Sequence, residues 1–397
     1  MVLGTVQGEA VLKKLEEMDV LRGFAATWVY LSHVAFLAGL KDARGLIGIV
    51  THGGNAVTVF IMISGFAIAS SLLHSKANYG EYMARRASRI YPVYLIALIL
   101  GIATSALYPP LLHDLPWVAQ DDIARIDART ALETTQFWPL LTSHLVMMHG
   151  VIPDPLLYGA SLTFNSPLWS LSLEWQFYLL APVILAALMN PRRHWWGVLL
   201  LLAICVVGPG YFKPYFAQVP SFLPMRLTYF VIGILTALHM GTLVGHKWIV
   251  LLGGAVGGLA YAKLVGLAEA LPFLLWWGCV SLSFDWGNGG VALARRLFTW
   301  KPLVAFGERS YGFYAFHMPV LMLWAILLES QGLLTSEWMT AALLLPPFFI
   351  AAGLAWASYD LMEVRINRWA KERFRGSRTV PATRIVPTRG DVLEGTS

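Results

Sequence analysis

The chain has 397 residues, 57% of them hydrophobic and only 13% charged, with a formal net charge of +6. Soluble domains carry about 25% charged residues, so this composition excludes an ordinary soluble fold and marks an integral membrane protein. The basic residues are scattered between apolar stretches, which argues against nucleic-acid binding. Cys205 and Cys279, both inside apolar stretches, provide neither a disulfide framework nor metal-ligand spacing.

Apolar stretches near 18 residues or longer, each able to cross about 30 Å of hydrocarbon, recur in chain order. They lie at approximately 20–39, 52–73, 88–107, 168–189, 195–212, 222–242, 247–266, 270–286, 305–328 and 338–360. The expectation is an all-α, polytopic membrane protein of about ten transmembrane helices. The first stretch follows the charged amphipathic segment "EAVLKKLEEMD" and lacks a small-residue cleavage site, so it reads as a retained signal anchor. With the N-terminus inside, all but seven of the 29 Lys and Arg fall on the cytoplasmic side. That positive-inside bias places both termini in the cytoplasm, with the chain in the inner membrane.

Residues 1–365 form one transmembrane unit on this reading, and 366–397 a basic, disordered cytoplasmic tail. The exception to short connections is an outer loop at about 108–167, long enough to have a function of its own. Its apolar patch at 137–150 is too short to span and reads as an interfacial or re-entrant helix. The loop is a candidate lid or acceptor-binding platform.

Ionisable groups inside apolar spans are costly, and each is a functional candidate. Arg22 and His33 lie about 16 Å apart on one face of the first helix, with His33 some 20 Å from the cytoplasmic entrance. A neutral imidazole there can act as a base near working pH, or serve only to pack helices. Arg22 follows Asp19 and can form a surface ion pair with it. At the start of the third helix, "EYMARRASRIYP" offers Arg85, Arg86 and Arg89 with Tyr91, either as forked phosphate donors or as a positive-inside anchor. The fourth helix opens with "NSPLWSLSLEWQFY", where Ser172 and Glu174 serve either as caps or, beside Trp169, as a site for a histidine or sugar hydroxyls. Late in the chain, Glu308 and Arg309 precede His317, which has the chance to share a central cavity with His33.

Together these segments resemble the membrane acyltransferase family called acyltransferase 3. "DVLRGFAATWVYLSH" is similar to its pattern of Arg, ten residues, then His. "GNAVTVFIMISGFAI" is similar to its Ser-Gly-Phe block, here Ser64, Gly65 and Phe66. "RRASRIYP", "SPLWSLSLEWQFYLLAP" and "SYGFYAFHMPVL" follow in the family's order, so the resemblance covers residues 19 to about 320. Three positions depart from it. Trp175 stands where many members have a second glutamate, Ile61 follows Phe60 where a second phenylalanine is common, and the usual Glu-Arg-Pro ending survives only through Glu363. No extracellular hydrolase-like domain follows the tenth helix, as in stand-alone members.

The resemblance implies an acyl-CoA-dependent O-acyltransferase that moves an acyl group, most often acetyl, to a hydroxyl of a cell-surface or exported glycan. It implies donor binding at Arg86 and Arg89, with Arg85, Tyr91 and Arg22 nearby, and no metal. His33 becomes the general base or a transient acyl carrier, Glu174 its partner or the acceptor's, and Ser64 or Tyr91 an oxyanion donor. Gly65, Trp169, Ser172 and His317 are supporting residues. The alternative class is a transporter or channel for an acidic or sugar-like solute lined by Arg22, His33 and Glu174. Acceptor identity, acyl length and oligomeric state are left open.

Overall fold

A computed structural model of the chain describes residues 15–366 apart from residues 76 and 364. The expected tail lies outside the described residues but for its first, and only the end of the amphipathic N-terminal segment falls within them. Every regular element described is helical. In chain order they are α1 (Glu16–Leu37), α2 (Gly45–Thr51), α3 (Gly53–Leu73), α4 (Tyr79–Ser105), α5 (Tyr108–His113), α6 (Gln120–Thr135), α7 (Phe137–Leu145) and α8 (Trp169–Met189). Then follow α9 (Trp195–Phe212), α10 (Leu223–Gly245), α11 (Lys247–Val265), α12 (Leu267–Leu282), α13 (Gly290–Phe298), α14 (Lys301–Glu329), α15 (Glu337–Leu343) and α16 (Pro347–Ser358).

Among the described residues, nine helical segments are long and apolar enough to span a membrane. The stretch expected at 270–286 is the difference: α12 has 16 residues, about 24 Å at helical rise, short of a full crossing. The last span is also not one helix. It breaks between α15 and α16 and ends in a π-helical turn, Tyr359–Glu363. The 108–167 region is largely helical rather than a loop. Within it α7 buries Leu140 and His144 and exposes Trp138, the amphipathic pattern of a surface helix.

Helices α1, α3, α4, α8, α10 and α14 form the centre, whereas α9 and α11 are only 11% buried along their apolar windows and present Leu, Ile and Val to lipid. Two crossings depend on glycine. A Cβ at Gly65 of α3 would lie 2.2 Å from the Phe230 carbonyl of α10, and one at Gly233 of α10 2.1 Å from the Met62 carbonyl of α3. A Cβ at Gly307 of α14 would lie 1.9 Å from the Asp19 carbonyl of α1. Close approach of this kind lets dispersion hold helices where lipid removes the hydrophobic drive.

Proline supplies a second rule. A helical proline leaves the carbonyl four residues earlier without its N–H partner, which is expensive in hydrocarbon. Five helices carry an internal proline at 92, 182, 209, 272 and 319. Four of the freed carbonyls accept from a side chain of another segment. Tyr82 donates to Tyr178 O at 3.1 Å, Thr228 to Cys205 O at 3.1 Å, Asn55 to Ala268 O at 2.8 Å, and Asn165 to Ala315 O at 3.2 Å. At the break before α16, Trp324 donates to Leu343 O at 2.9 Å and Tyr30 to Leu344 O at 2.5 Å.

The 108–167 region is pinned by polar groups. Met147 and Phe164 both have positive φ. The Met147 carbonyl accepts from Ser172 Oγ, and the Phe164 N–H donates to Glu133 Oε1 at 2.7 Å. His144 and His149 stack fully buried, with ring centroids 3.9 Å apart. Burial lowers His144 from 6.5 to about 4, and burial beside His144 holds His149 well below 6.5.

Two predictions follow from these contacts. Gly233→Val and Asn165→Leu should each cost about 1–3 kcal/mol, read as earlier thermal unfolding of detergent-purified protein by size exclusion. Because the stacked histidines are neutral when folded, the unfolded chain binds more protons below pH 6.5. Stability should therefore be full above about pH 6.5 and fall as pH drops toward 4. His149→Gln should flatten that slope, and an unchanged slope would count against the assignment.

Candidate active site

Two chambers meet inside the helix bundle. The first, of about 80 Å³, is lined by Arg22 of α1, Ser64 of α3, Arg86 and Arg89 of α4, Ser170, Glu174 and Tyr178 of α8, and Tyr311 and Tyr314 of α14. Arg86 and Arg89, three positions apart, share a helical face. Arg86 donates to Ser71 Oγ at 2.6 Å and lies over the rings of Tyr82 and Tyr178. Arg22 pairs with Asp19 at 3.2 Å. The Glu174 carboxylate accepts from Ser64 Oγ at 2.7 Å and from Tyr178 OH at 2.5 Å.

The second chamber, of about 380 Å³, holds Ser32 and His33 of α1, Trp169, Lys41, Arg226 of α10, and Tyr108, Asp122, Arg125 and Arg129 of the 108–167 region. His33 makes no hydrogen bond among the described residues, and its ring centroid lies 5.3 Å from that of His317. His317 is fully buried, with Nδ1 2.7 Å from the Tyr314 carbonyl. A carbonyl only accepts, so Nδ1 carries the proton. Nε2 is then a buried acceptor without a partner among the described residues. The two rings are neighbours, but the expected shared cavity is not formed: His33 lines the second chamber, whereas His317 is buried behind it and lines neither. Gly53 allows α3 to start beside them, since a Cβ there would lie 2.2 Å from Ser32 Oγ.

Val57 and Tyr314 line both chambers. Tyr314 OH is fixed between them, accepting from Ser170 Oγ at 2.8 Å and donating to Pro167 O at 2.9 Å. It forms the partition, and its importance was hidden in the sequence because a tyrosine within an apolar run carries no charge signal.

Several expected residues stand elsewhere. Glu174 faces the arginines rather than His33. The chain before α8 is already buried, with Thr163 and Asn165 almost inaccessible, so this helix begins within the bundle and Glu174 lies past the outer chamber. Neither Ser172 nor Glu174 caps α8, whose N-cap is Leu168 with no side-chain bond. Ser172 instead accepts from Gly150 N and donates to Met147 O, anchoring the 108–167 region. Gly65 serves the α3–α10 crossing. Arg85 is 41% exposed and pairs with Glu81 at 3.9 Å, outside both chambers. One residue from Arg86 it points about 100° away. Tyr91 packs edge-on against Trp175 and lines neither chamber. Arg309 lies over Trp356 and Tyr359 and pairs with Asp360, away from both. Arg129 and Arg226 also line the second chamber; Arg226, a lone arginine in the first turn of an apolar span, carries a sequence signal, whereas Arg129 sits within a polar helix and carries none.

The helices and paired chambers define a multi-pass membrane protein with a divided internal site. Residues 15–359 match the acyltransferase domain family, and the chain belongs to it. It is 27% identical over 355 residues to Acyltransferase MdmB of Streptomyces mycarofaciens, covering 83% of this chain and 84% of that protein. It is 30% identical over 191 residues to the O-acetyl transferase of Shigella phage Sf6, covering 48% of this chain and 52% of that one. Against Peptidoglycan O-acetyltransferase OatA of Listeria monocytogenes it is 24% identical over 356 residues, covering 80% of this chain and 51% of OatA. No solved structure matches. The protein is thus a multi-pass membrane acyltransferase. No group of three or more metal-ligating side chains occurs among the described residues.

If Tyr314 and Val57 divide the site, single cysteines on either side should label from opposite faces of the membrane. With Cys205 and Cys279 replaced by alanine, Ala67→Cys and Ser32→Cys should react with impermeant maleimide in vesicles of opposite orientation. Labelling of both from one face would contradict the partition.

Proposed function

We propose that the protein transfers an acyl group, acetyl foremost, from cytoplasmic acyl-CoA to a hydroxyl of a cell-surface or exported glycan. The observation that carries this reading is the pairing of an arginine-lined chamber with a histidine chamber across one shared wall. Positive-inside bias assigns the arginine side and both termini to the cytoplasm of an inner-membrane protein. Three arginines, of which Arg22 is paired with Asp19, line this chamber with a single carboxylate, Glu174, and suit a donor rich in phosphate, since guanidinium forks grip phosphate oxygens. A chamber of about 80 Å³ admits only the narrow thioester end of such a donor, leaving its nucleotide toward the cytoplasm. The acceptor occupies the wider chamber.

In the proposed reaction the acceptor hydroxyl oxygen bonds to the thioester carbonyl carbon, and His33 takes the hydroxyl proton. The carbon–sulfur bond then breaks, and the departing thiolate recovers a proton, leaving free CoA and an ester. His33 as transient acyl carrier gives the same products in two steps. His317, with Nδ1 held by the Tyr314 carbonyl, keeps a buried acceptor behind His33. Glu174, held by Ser64 and Tyr178, is assigned to alignment of the arginines rather than to His33.

Transfer of label from acetyl-CoA in isolated membranes tests this. His33→Ala should lose at least about 100-fold in rate with donor binding intact. Arg89→Ala and Glu174→Gln should act mainly on the donor KM, whereas Arg85→Gln should behave as wild type. A folded His33→Ala protein at wild-type rate would end the base-or-carrier role. Failure of the wild type to bind acyl-CoA would favour the solute-pathway alternative.

A further inference from the structure

The charge of the His33 chamber exceeds what transfer to a neutral hydroxyl requires. Its walls bring together Lys41, Arg125, Arg129 and Arg226 against a single carboxylate, Asp122. Asp122 is already shared, one oxygen accepting from Lys41 and the other from Arg125. Arg226 reaches only Thr58 Oγ1, at 3.3 Å, with its guanidinium 5.5 Å from the Tyr229 ring, and forms no ion pair among the described residues. Arg129 likewise forms none, and its buried Nε has no hydrogen-bond partner. Glu133 is the acidic group that acts on Arg129. Its Oε1 accepts from the Phe164 N–H, burial pushes its carboxyl above the ordinary value, and it forms no ion pair with Arg129 within contact distance among the described residues.

Guanidinium groups withdrawn from bulk water without an ion pair are costly. Here they come from separate segments, α6 and α10, and converge on a cavity of about 380 Å³, within the size range of small-ligand sites. Neither arginine is needed to build the chamber wall by a salt bridge, because neither makes one among the described residues.

We propose that this chamber binds an acceptor carrying an anionic group, a carboxylate or a phosphate, close to the hydroxyl that is acylated, with Arg129 and Arg226 as its ligands. The inference rests on the acyl-transfer reading and narrows the acceptor class within it. The anion fixes the acceptor ring at the far wall while His33 meets the hydroxyl. Bond making and breaking are those of the transfer already described.

Binding of three probes to the detergent-purified full chain tests the proposal: glucuronic acid, glucose phosphate and glucose. The two anionic sugars, or one of them, should bind at least tenfold more tightly than glucose, and a difference between them identifies carboxylate or phosphate. Arg129→Gln and Arg226→Gln should abolish that preference without changing acetyl-CoA binding, and Arg226→Lys should restore part of it. Monodisperse elution with unchanged thermal unfolding checks that the variants are folded. Equal binding of all three sugars, no binding of the anionic ones, or a preference untouched by either Gln variant would overturn the proposal. So would loss of acetyl-CoA binding in folded Arg129→Gln or Arg226→Gln, which would make the chamber a donor-phosphate site. A wild type that prefers anionic sugars yet neither binds nor consumes acetyl-CoA would keep the anion site and reject the acyl-transfer reading.

Discussion

In hydrocarbon a backbone carbonyl released by proline finds no water, so the helices that carry proline must find donors on their neighbours. Tyr82, Thr228, Asn55 and Asn165 provide them, each from a different segment than the proline it serves. These bonds also position the chemistry. Tyr82, bonded to Tyr178 O, sets α4 against α8, and Arg86 lies over both tyrosine rings. Asn165 bonds Ala97 O as well as Ala315 O, so one amide ties α4 to α14 two residues before His317. Tyr30 and Trp324 perform the same service at the break in the final span.

Glycine contacts complement this polar framework. The α3–α10 and α1–α14 crossings bring backbones together where no side chain fits. Ser64 lies next to one crossing and Arg22 next to the other, so each reactive or charged group stands on backbone with little room to shift. Preorganisation of that kind suits an acyltransferase site, where reacting groups must be held in register.

The 108–167 region completes the second chamber rather than covering it loosely. Ser172 and Glu133 hold its two non-glycine residues of positive φ, and Trp117 donates to Leu37 O at the end of α1 at 2.9 Å. The cations it contributes, Arg125 and Arg129, line the same chamber as His33. Two groups of cations thus occupy the protein, one in each chamber, separated by Tyr314 and Val57.

The sequence by itself determined the helical membrane class and the positions of nearly all spans, and it singled out Arg22, Arg86, Arg89, His33 and His317 as ionisable groups within them. Apolar run length, the cost of buried charge and the order of motifs are local properties that one chain displays. It also marked Glu174 and Gly65, but their neighbours only emerge on packing. Glu174 turned to the arginines because the chain before α8 enters the bundle, and Gly65 proved to be a helix crossing. Arg85 and Tyr91 were drawn in by adjacency along the chain, whereas a helix turns about 100° per residue and carried them away. The division by Tyr314, the proline-carbonyl donors and the gathering of Lys41, Arg125, Arg129 and Arg226 around His33 were decided by tertiary structure alone. Each joins residues far apart in sequence, and no periodicity or spacing records which helix will stand beside which.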